Sequence, residues 1–301
     1  MNIGVVYSLL AYIIWGLFPL YFKQLTHVPA LEVVMHRTVW SLLFVMLLLL
    51  VLKRWAWIRH LARQPKVLVA FAVSAMLLST NWLIYVWAVQ NQHVQDASLG
   101  YFILPLVNIA LAFMVLKERP RVGQWVAVGI ATAGVLWLTI QGGRLPWVAL
   151  MLALTFGVYG LLRKVAVLGP LEGLTLETMM LTPIALVYMG VGLAQGNSVL
   201  LQGDWATNAW LMAAGPLTAI PLLLFAAGAR RIPMTTVGIL QYASPTILFL
   251  LSVLVFHEPI QSSRLVGFVF IWGALVVYTA ESLHFSQKAS RKLSRIAQVS
   301  H

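Results

Sequence analysis

Long apolar runs alternate along this chain with short polar or charged breaks. Each run holds about 20 mostly apolar residues, the length that an α-helix needs to cross the hydrocarbon core of a bilayer. The breaks contain turn-forming Gly and Pro residues or groups of Lys and Arg. The pattern predicts ten membrane-spanning helices, at residues 3–22, 31–52, 67–90, 97–117, 122–140, 147–163, 171–194, 208–229, 235–256 and 263–283.

The composition also favours a membrane protein. Of the 301 residues, 61% are hydrophobic and only 9% are charged, whereas soluble domains carry roughly 25% charged residues. Such a small number of charged residues cannot cover a water-exposed surface. Most of the surface must therefore face lipid. We therefore predict an all-α integral membrane protein with the lipid bilayer as its surroundings. The net charge of +12 does not indicate nucleic-acid binding, because the basic residues lie at the ends of apolar runs.

The Lys and Arg residues predict how the helices are oriented. With the amino terminus in the cytoplasm, Lys23, Arg144 and Arg264 fall on the outer side and Arg37 lies within a helix, while all the other Lys and Arg residues fall in cytoplasmic segments. Such an excess is typical of cytoplasmic connections, and it holds at every connection in turn. We therefore expect both termini in the cytoplasm, with a basic cytoplasmic tail over residues 284–301.

The second half of the chain repeats landmarks of the first at an offset of about 140 residues. The aligned pairs are Trp15-Gly16 with Phe156-Gly157, Lys23 with Lys164, Pro29 with Pro170, His36 with Glu177, Pro105 with Pro245, and Glu118 with Glu258. Because each half holds five helices, an odd number, the second half must enter the membrane in the opposite direction. Inverted repeats of this kind recur in secondary transporters. We expect the two units at residues 3–140 and 147–283.

Several predicted helices carry polar and aromatic side chains on one face. Polar groups inside a bilayer are costly and usually face protein or a water-filled cavity. We interpret this set as the lining of a substrate pathway among the first, third, fourth, sixth, eighth and ninth helices; packing between helices is the alternative. The candidates are Tyr12, Trp15, Asn81, Trp82, Tyr85, Tyr101, Pro105, Asn108, Tyr159, Gln241 and Pro245.

Ionisable residues are rare within the predicted helices. Glu32, His36 and Arg37 are near the outer end of the second helix, and Glu177 is near the inner end of the seventh. Histidine titrates near neutral pH, so one hypothesis is that His36 or Glu177 couples transport to protons. The alternative is a satisfied polar cluster close to the membrane interface, where long side chains reach water.

Signs of enzymatic chemistry are absent from the sequence. There is no His-Glu-x-x-His, no Gly-x-Ser-x-Gly and no phosphate-binding loop. The chain has no cysteine, which excludes disulfides and thiolate metal sites. We predict no catalytic residue, no metal and no cofactor, and we interpret Glu118 and Glu258, which lie next to helix starts, as helix caps.

A family resemblance spans residues 4–283. It rests on Tyr12-Ile13-Ile14-Trp15-Gly16, Tyr21-Phe22-Lys23, Val28-Pro29-Ala30, His36-Arg37, Asn81-Trp82-Leu83, residues 97–103, Pro105-Leu106-Val107-Asn108, Tyr159-Gly160-Leu161 and Gln241-Tyr242. These segments resemble the RarD group of the EamA-type transporters, within the drug/metabolite transporter superfamily. The resemblance implies two inverted five-helix EamA repeats in a bacterial inner membrane, with a substrate cavity among the six helices named above. It also implies an association with chloramphenicol sensitivity.

These patterns together predict a secondary transporter that exports small metabolites or drugs by alternating access. A small molecule is therefore the expected partner, and nucleic acid is not. A proton-coupled uptake carrier is one alternative, and a non-transporting membrane protein is another. A solid, dry centre between the two halves would favour the latter.

Overall fold

The computed structural model describes residues 2–61, 64–90, 94–142, 147–199, 204–255, 265–267, 269–281 and 284–285. Their helices are α1 (Ile3–Gly16), α2 (Phe18–Phe22), α3 (Ala30–Val51), α4 (Ala56–Leu61), α5 (Pro65–Gln90), α6 (Val94–Met114), α7 (Val122–Gly142), α8 (Trp147–Val165), α9 (Pro170–Ala194), α10 (Trp205–Ala229), α11 (Met234–Leu240), α12 (Ala243–Leu254) and α13 (Leu265–Glu281). Glu258, Arg264 and nearly all of the predicted tail lie outside the described residues.

Eight segments of the described chain are long and apolar enough to cross a membrane. Two shorter apolar helices, Leu99–Met114 and Leu265–Glu281, occupy the fourth and tenth predicted positions. Large apolar side chains such as Leu47 and Leu50 lie on the outer surface, as expected of helices that face lipid. The all-helical membrane fold is therefore confirmed, and the count of ten crossings stays a prediction.

Two helices that the sequence predicted as continuous are divided. The first breaks at Leu17, between α1 and α2, and the ninth breaks after Leu240, between α11 and α12. Proline explains both positions, because Pro19 and Pro245 lie in the first turn of the helix that follows each break. Proline has no backbone N–H to donate. In the first turn of a helix this loses no hydrogen bond, because N–H groups there have no partner within the helix, whereas in a helix interior it would remove one.

The connections between helices gather at two ends of the bundle. At one end, Arg54 forms a 2.8 Å ion pair with Glu172. At the same end, Lys164 Nζ donates to the carbonyls of Ala229 and Ile232 at 3.0 and 2.6 Å. These contacts join the connections α3–α5, α8–α9 and α10–α11, and we call this end the Ile3 end because α1 begins there.

The opposite end, which we call the Pro29 end, is joined by its own contacts. His27 Nε2 lies 3.0 Å from Thr207 Oγ1. Tyr21 donates its hydroxyl to the carbonyl of Trp210 at 3.1 Å. The connection after α2 is therefore fastened to the start of α10, and the bundle is tied at both ends by contacts between its two halves.

Helices of one half pack mainly against helices of the other half. α1 packs on α10 and α12, while α8 packs on α5 and α6; α3 packs on α10, while α9 packs on α5. When residues 3–140 are aligned with residues 147–283, each of these contacts has its counterpart. The aligned mates Trp15 and Phe156 also touch each other, with ring centroids 5.6 Å apart. Their contact lies where the two halves meet.

Candidate substrate chamber

Arg37 occupies the second turn of α3 and is held between the two halves. Its Nε donates to Thr218 Oγ1 on α10 at 3.0 Å. The guanidinium carbon lies over the Trp82 ring of α5, 4.7 Å from its centroid. A hydrogen bond at one edge and an aromatic ring below fix the orientation of the guanidinium plane.

Further aromatic side chains, from α2, α5 and α6, surround this guanidinium. Its carbon lies 5.9 and 5.8 Å from the ring centroids of Phe18 and Phe22 on α2. Tyr85 and Tyr101 lie within electrostatic range of Arg37. Tyr101 exposes 38% of its surface, so part of its ring stays accessible beside Arg37. We call this set the Arg37 chamber: Phe18, Phe22, Arg37, Trp82, Tyr85, Tyr101 and Thr218.

A layer of packed aromatic rings separates the chamber from the Ile3 end. In α1, Tyr12 and Trp15 precede the chamber residues by one to two turns. Tyr12, Tyr159 and Phe225 are completely buried. Trp15 and Phe156 complete the layer, and neighbouring ring centroids in it are 5.4 to 6.4 Å apart. This aromatic layer closes the space between the halves below the chamber.

The amide side chains among the candidates connect helices of different halves. Asn81 Nδ2 donates to the Leu152 carbonyl and to Thr155 Oγ1, both at 2.9 Å. Asn108 Nδ2 donates to Gln241 Oε1 at 2.7 Å. Asn108 and Gln241 are buried, whereas Asn81 keeps part of its surface accessible. These bonds are polar links of the kind that hold membrane helices together.

The two candidate prolines are buried near the crossing of α6 with α11 and α12. Pro105 lies inside α6, and Pro245 lies in the first turn of α12. A Cβ added at Gly238 would come 2.8 Å from the Pro105 carbonyl oxygen. The backbones of the two halves therefore approach each other closely at this point.

Glu32 and His36 make contacts separate from those of Arg37. Glu32 Oε1 accepts hydrogen bonds from the Val199 N–H at 2.9 Å and from Ser198 Oγ at 3.3 Å, which fastens the connection after α9. His36 Nδ1 accepts from Trp40 Nε1 at 3.2 Å. Within the described residues, His36 Nε2 is buried without a hydrogen-bond partner.

Glu177 forms a second buried cluster, on the Ile3 side of the aromatic layer. Ser74 Oγ donates to its Oε1 at 2.5 Å, and Arg163 Nη1 lies 3.7 Å from the same oxygen. The Tyr159 hydroxyl is 3.5 Å from Oε2. Glu177 and Arg163 expose 0% and 2% of their side chains, so this ion pair is excluded from bulk water.

Two features of the Glu177 cluster were not predicted. Arg163 was counted among the cytoplasmic cations of a connection, but the structure buries it inside α8. Its place one turn after Tyr159 on the same helix face is the sequence signal that points inward. A cleft of about 210 Å³ adjoins the cluster, lined by Lys66, Phe71, Ser74, Arg163 and Val167 among others.

The chamber brings together residues from two of the predicted sets. Trp82, Tyr85 and Tyr101 belonged to the substrate pathway, and Arg37 belonged to the intramembrane charges. Phe18 and Phe22 were not among the candidates, although both follow Trp15 at helical spacing. In the part of the chain that the structure describes, no three His, Asp or Glu side chains come together as metal ligands would.

Comparisons with known proteins agree with this architecture. The sequence profile of the EamA-like transporter family matches twice, at residues 2–140 and 145–280. An uncharacterized transporter of Pseudomonas aeruginosa is 48% identical, over 98% of this chain and 97% of its own. Protein RarD of Escherichia coli is 41% identical, over 96% and 97%. The chloramphenicol-sensitive protein RarD of Pseudomonas aeruginosa is 32% identical, over 96% and 97%.

A solved crystal structure shares the fold. It superposes with a TM-score of 0.69 and covers 92% of this chain and 97% of its own, at 17% sequence identity. At this identity the similarity concerns the fold alone. The two profile matches and the near full-length relatives show that this chain is a membrane transporter of the EamA-like family, of the RarD type within the drug/metabolite transporter superfamily.

Proposed function

We propose that this protein is a secondary transporter that exports a small molecule across the bacterial inner membrane by alternating access. The observation that carries the proposal is the Arg37 chamber, which lies between the two halves and retains accessible surface at Tyr101. The aromatic layer closes the space on its Ile3 side. A space between two halves that is closed on one side is what an alternating-access carrier requires.

The candidate pathway residues take different roles in this proposal. Trp82, Tyr85 and Tyr101 line the binding space, together with Asn81 and Trp15, which keep part of their surface accessible. Tyr12 and Tyr159 belong to the layer that has to separate when the transporter changes state. Asn108, Gln241, Pro105 and Pro245 lie at the crossing of α6 with α11 and α12, where helices that bend or slide would alter the chamber.

Two inverted repeats of five crossings, at residues 3–140 and 147–283, complete the proposal. The paired helix contacts and the meeting of Trp15 with Phe156 support this relation. The connections that meet at the Ile3 end carry Arg54, Lys164 and Arg230, which supports a cytoplasmic location for that end. The N-terminus and the tail over 284–301 are then cytoplasmic.

The test is transport by the purified protein in liposomes, against a panel of metabolites that includes chloramphenicol. We expect saturable flux that is accelerated by substrate on the opposite side, and a several-fold loss of flux in Tyr101→Ala. Leu47→Ala is the matched control, because Leu47 faces lipid from the same bundle with 56% of its surface exposed. Flux that rises linearly with concentration would indicate a channel, and no flux would contradict transport.

Proton coupling is a separate arm of the same test. His36 and Glu177 are both buried, and Glu177 lies beside the cleft through Ser74. If either residue couples transport to protons, His36→Ala or Glu177→Gln will abolish the dependence of flux on a pH gradient while exchange of substrate persists. Normal pH dependence in both variants would contradict coupling through these residues and would leave the transport proposal intact.

A further inference from the structure

Arg37 brings a positive charge into the membrane-spanning part of α3. A guanidinium at this depth is costly unless an anion or several acceptors compensate its charge. Among the residues that the structure describes, its hydrogen bond goes to the neutral hydroxyl of Thr218. The remaining neighbours are aromatic rings such as Trp82, which stabilise a cation without neutralising it, and the phenol groups of Tyr21, Tyr85 and Tyr101.

The carboxylates described in the structure are all engaged elsewhere. Each of them has a partner that is not Arg37. The pairs are Glu32 with the Val199 N–H, Glu118 with the Met234 N–H, Glu172 with Arg54, Glu177 with Ser74, Asp204 with the Thr207 N–H, and Glu281 with Arg121. The side chains of Asp96 and Glu258 lie outside the described part of the chain. The chamber, as described, therefore holds a cation that no described carboxylate neutralises.

We propose that Arg37 binds the carboxylate of the transported molecule, and that this molecule is an organic monoanion with an aromatic or apolar body. This inference rests on the proposed transport function and names the substrate class. Arginine matches a carboxylate with two parallel hydrogen bonds. Nε is used by Thr218 and the guanidinium carbon lies over the Trp82 ring, which leaves the two terminal nitrogens as the donors for those bonds.

The other chamber side chains determine the rest of the substrate. Phe18, Phe22, Trp82 and Tyr101 offer aromatic surface to an apolar body, as small-molecule sites usually do. His36 adds no charge in this arrangement, because its Nδ1 accepts a hydrogen bond and is therefore unprotonated. The single guanidinium of Arg37 can neutralise one negative charge. We therefore expect a monocarboxylate, because a dianion would leave one negative charge unpaired in the membrane.

The test uses purified full-length protein and matched pairs of probes. Benzoate, phenylacetate, indole-3-acetate and hexanoate are each compared with their neutral amides, and phenyl phosphate is the dianion probe. Binding is followed by thermal stabilisation and by tryptophan fluorescence, to which Trp82 contributes. We expect at least one carboxylate to bind saturably and its amide to bind roughly 10- to 100-fold more weakly, the range for losing a charge-assisted hydrogen-bonded pair.

The variants assign the effect to Arg37. Arg37→Gln is expected to remove the preference for the carboxylate over its amide, and Arg37→Lys to retain part of it, because lysine keeps the charge and loses the planar fork. Arg54→Gln removes a cation at the Ile3 end and is expected to change nothing in this assay. If Arg37→Gln does not fold, the partial loss of carboxylate preference expected in Arg37→Lys tests the role of Arg37 instead.

Several results would overturn the inference. The inference is wrong if no carboxylate binds better than its amide, or if phenyl phosphate binds better than every monocarboxylate. An Asp96→Asn variant that gains carboxylate binding absent from the unmodified protein would identify Asp96 as the counter-ion instead. Saturable flux of neutral compounds without any preference for carboxylates would contradict this inference alone, whereas carboxylate binding without flux would contradict the transport function alone.

Discussion

Polar side chains inside this protein are held by partners from distant parts of the chain. The Glu118 carboxylate accepts from the Met234 N–H at 2.7 Å, from the Thr235 N–H at 3.0 Å and from the Thr235 hydroxyl at 2.8 Å. It therefore caps α11 in the other half rather than α7, the helix that follows it along the chain. At the start of α7, Gln124 Oε1 instead accepts a hydrogen bond from the Arg121 N–H.

The buried pair of Glu177 and Arg163 gives a prediction at the residue scale. Glu177→Gln leaves Arg163 without its counter-charge in a site excluded from bulk water, so we expect a loss of roughly 3 kcal/mol in the free energy of unfolding. The measurement is reversible unfolding in detergent. The control is Glu281→Gln, whose partner Arg121 is 40% exposed, and there we expect less than about 1 kcal/mol.

A double variant sharpens the same prediction. Removing both charges in Glu177→Gln with Arg163→Gln should cost less than the sum of the two single changes, because no lone charge remains buried. Equal losses in Glu177→Gln and Glu281→Gln would contradict the assignment of Glu177 and Arg163 as an interacting buried pair.

Helix contacts between the halves depend on small residues at the crossing points. A Cβ added at Gly215 of α10 would collide with the carbonyl group of Trp40 on α3, and Ser41 Oγ donates to the Gly215 carbonyl at 3.2 Å. At the corresponding crossing of α9 with α5, Ser74 reaches Glu177. The two crossings thus differ in chemistry, with close backbone packing in one and a polar cluster in the other.

At the scale of these elements we predict that Gly215→Ala destabilises the protein. The methyl group meets backbone atoms that cannot rotate away, so we expect a loss of about 1–3 kcal/mol in thermal or chemical unfolding. Gly190→Ala is the matched control in α9, because nothing lies within 4 Å of its added Cβ. Alanine in that open helical position should leave stability unchanged or raise it by up to ~1 kcal/mol. The same effect from both substitutions would argue against the close crossing.

The whole molecule has two chemically different ends. The Ile3 end joins basic connections by ion pairs and by bonds to carbonyl groups, as between Arg54 and Glu172. The Pro29 end is joined by aromatic and hydroxyl contacts, as between Tyr21 and Trp210. An excess of Lys and Arg on one side is what orients a membrane protein during insertion.

This difference predicts the topology of the whole chain. Because the protein has no cysteine, single cysteines can be placed at the exposed positions Gln64 and Asn197 without background labelling. In intact spheroplasts we expect a membrane-impermeant maleimide to label Asn197→Cys, and to label Gln64→Cys only after permeabilisation. The unmodified protein is the blank. Labelling of both positions from the same side would contradict the orientation.

The sequence by itself determined the features that depend on local physical chemistry. Bilayer thickness fixes how long an apolar run must be, so the runs indicated membrane helices. The landmark residues also identified the family. Trp82, Tyr85 and Tyr101 could be chosen as candidates because a polar or aromatic face on a membrane helix is itself unusual.

Only the tertiary structure decided which side chains meet. Glu32, His36 and Arg37 are neighbours on one helix, but their hydrogen-bond partners lie more than 150 residues away or within their own helix, and periodicity holds no information about such pairs. The Lys and Arg count placed Arg163 in a cytoplasmic connection, although it follows Tyr159 by one turn on the polar face of the sixth predicted helix. Only the packing shows that it is buried. The chamber arises from the way the two halves are packed together, because its members lie on both.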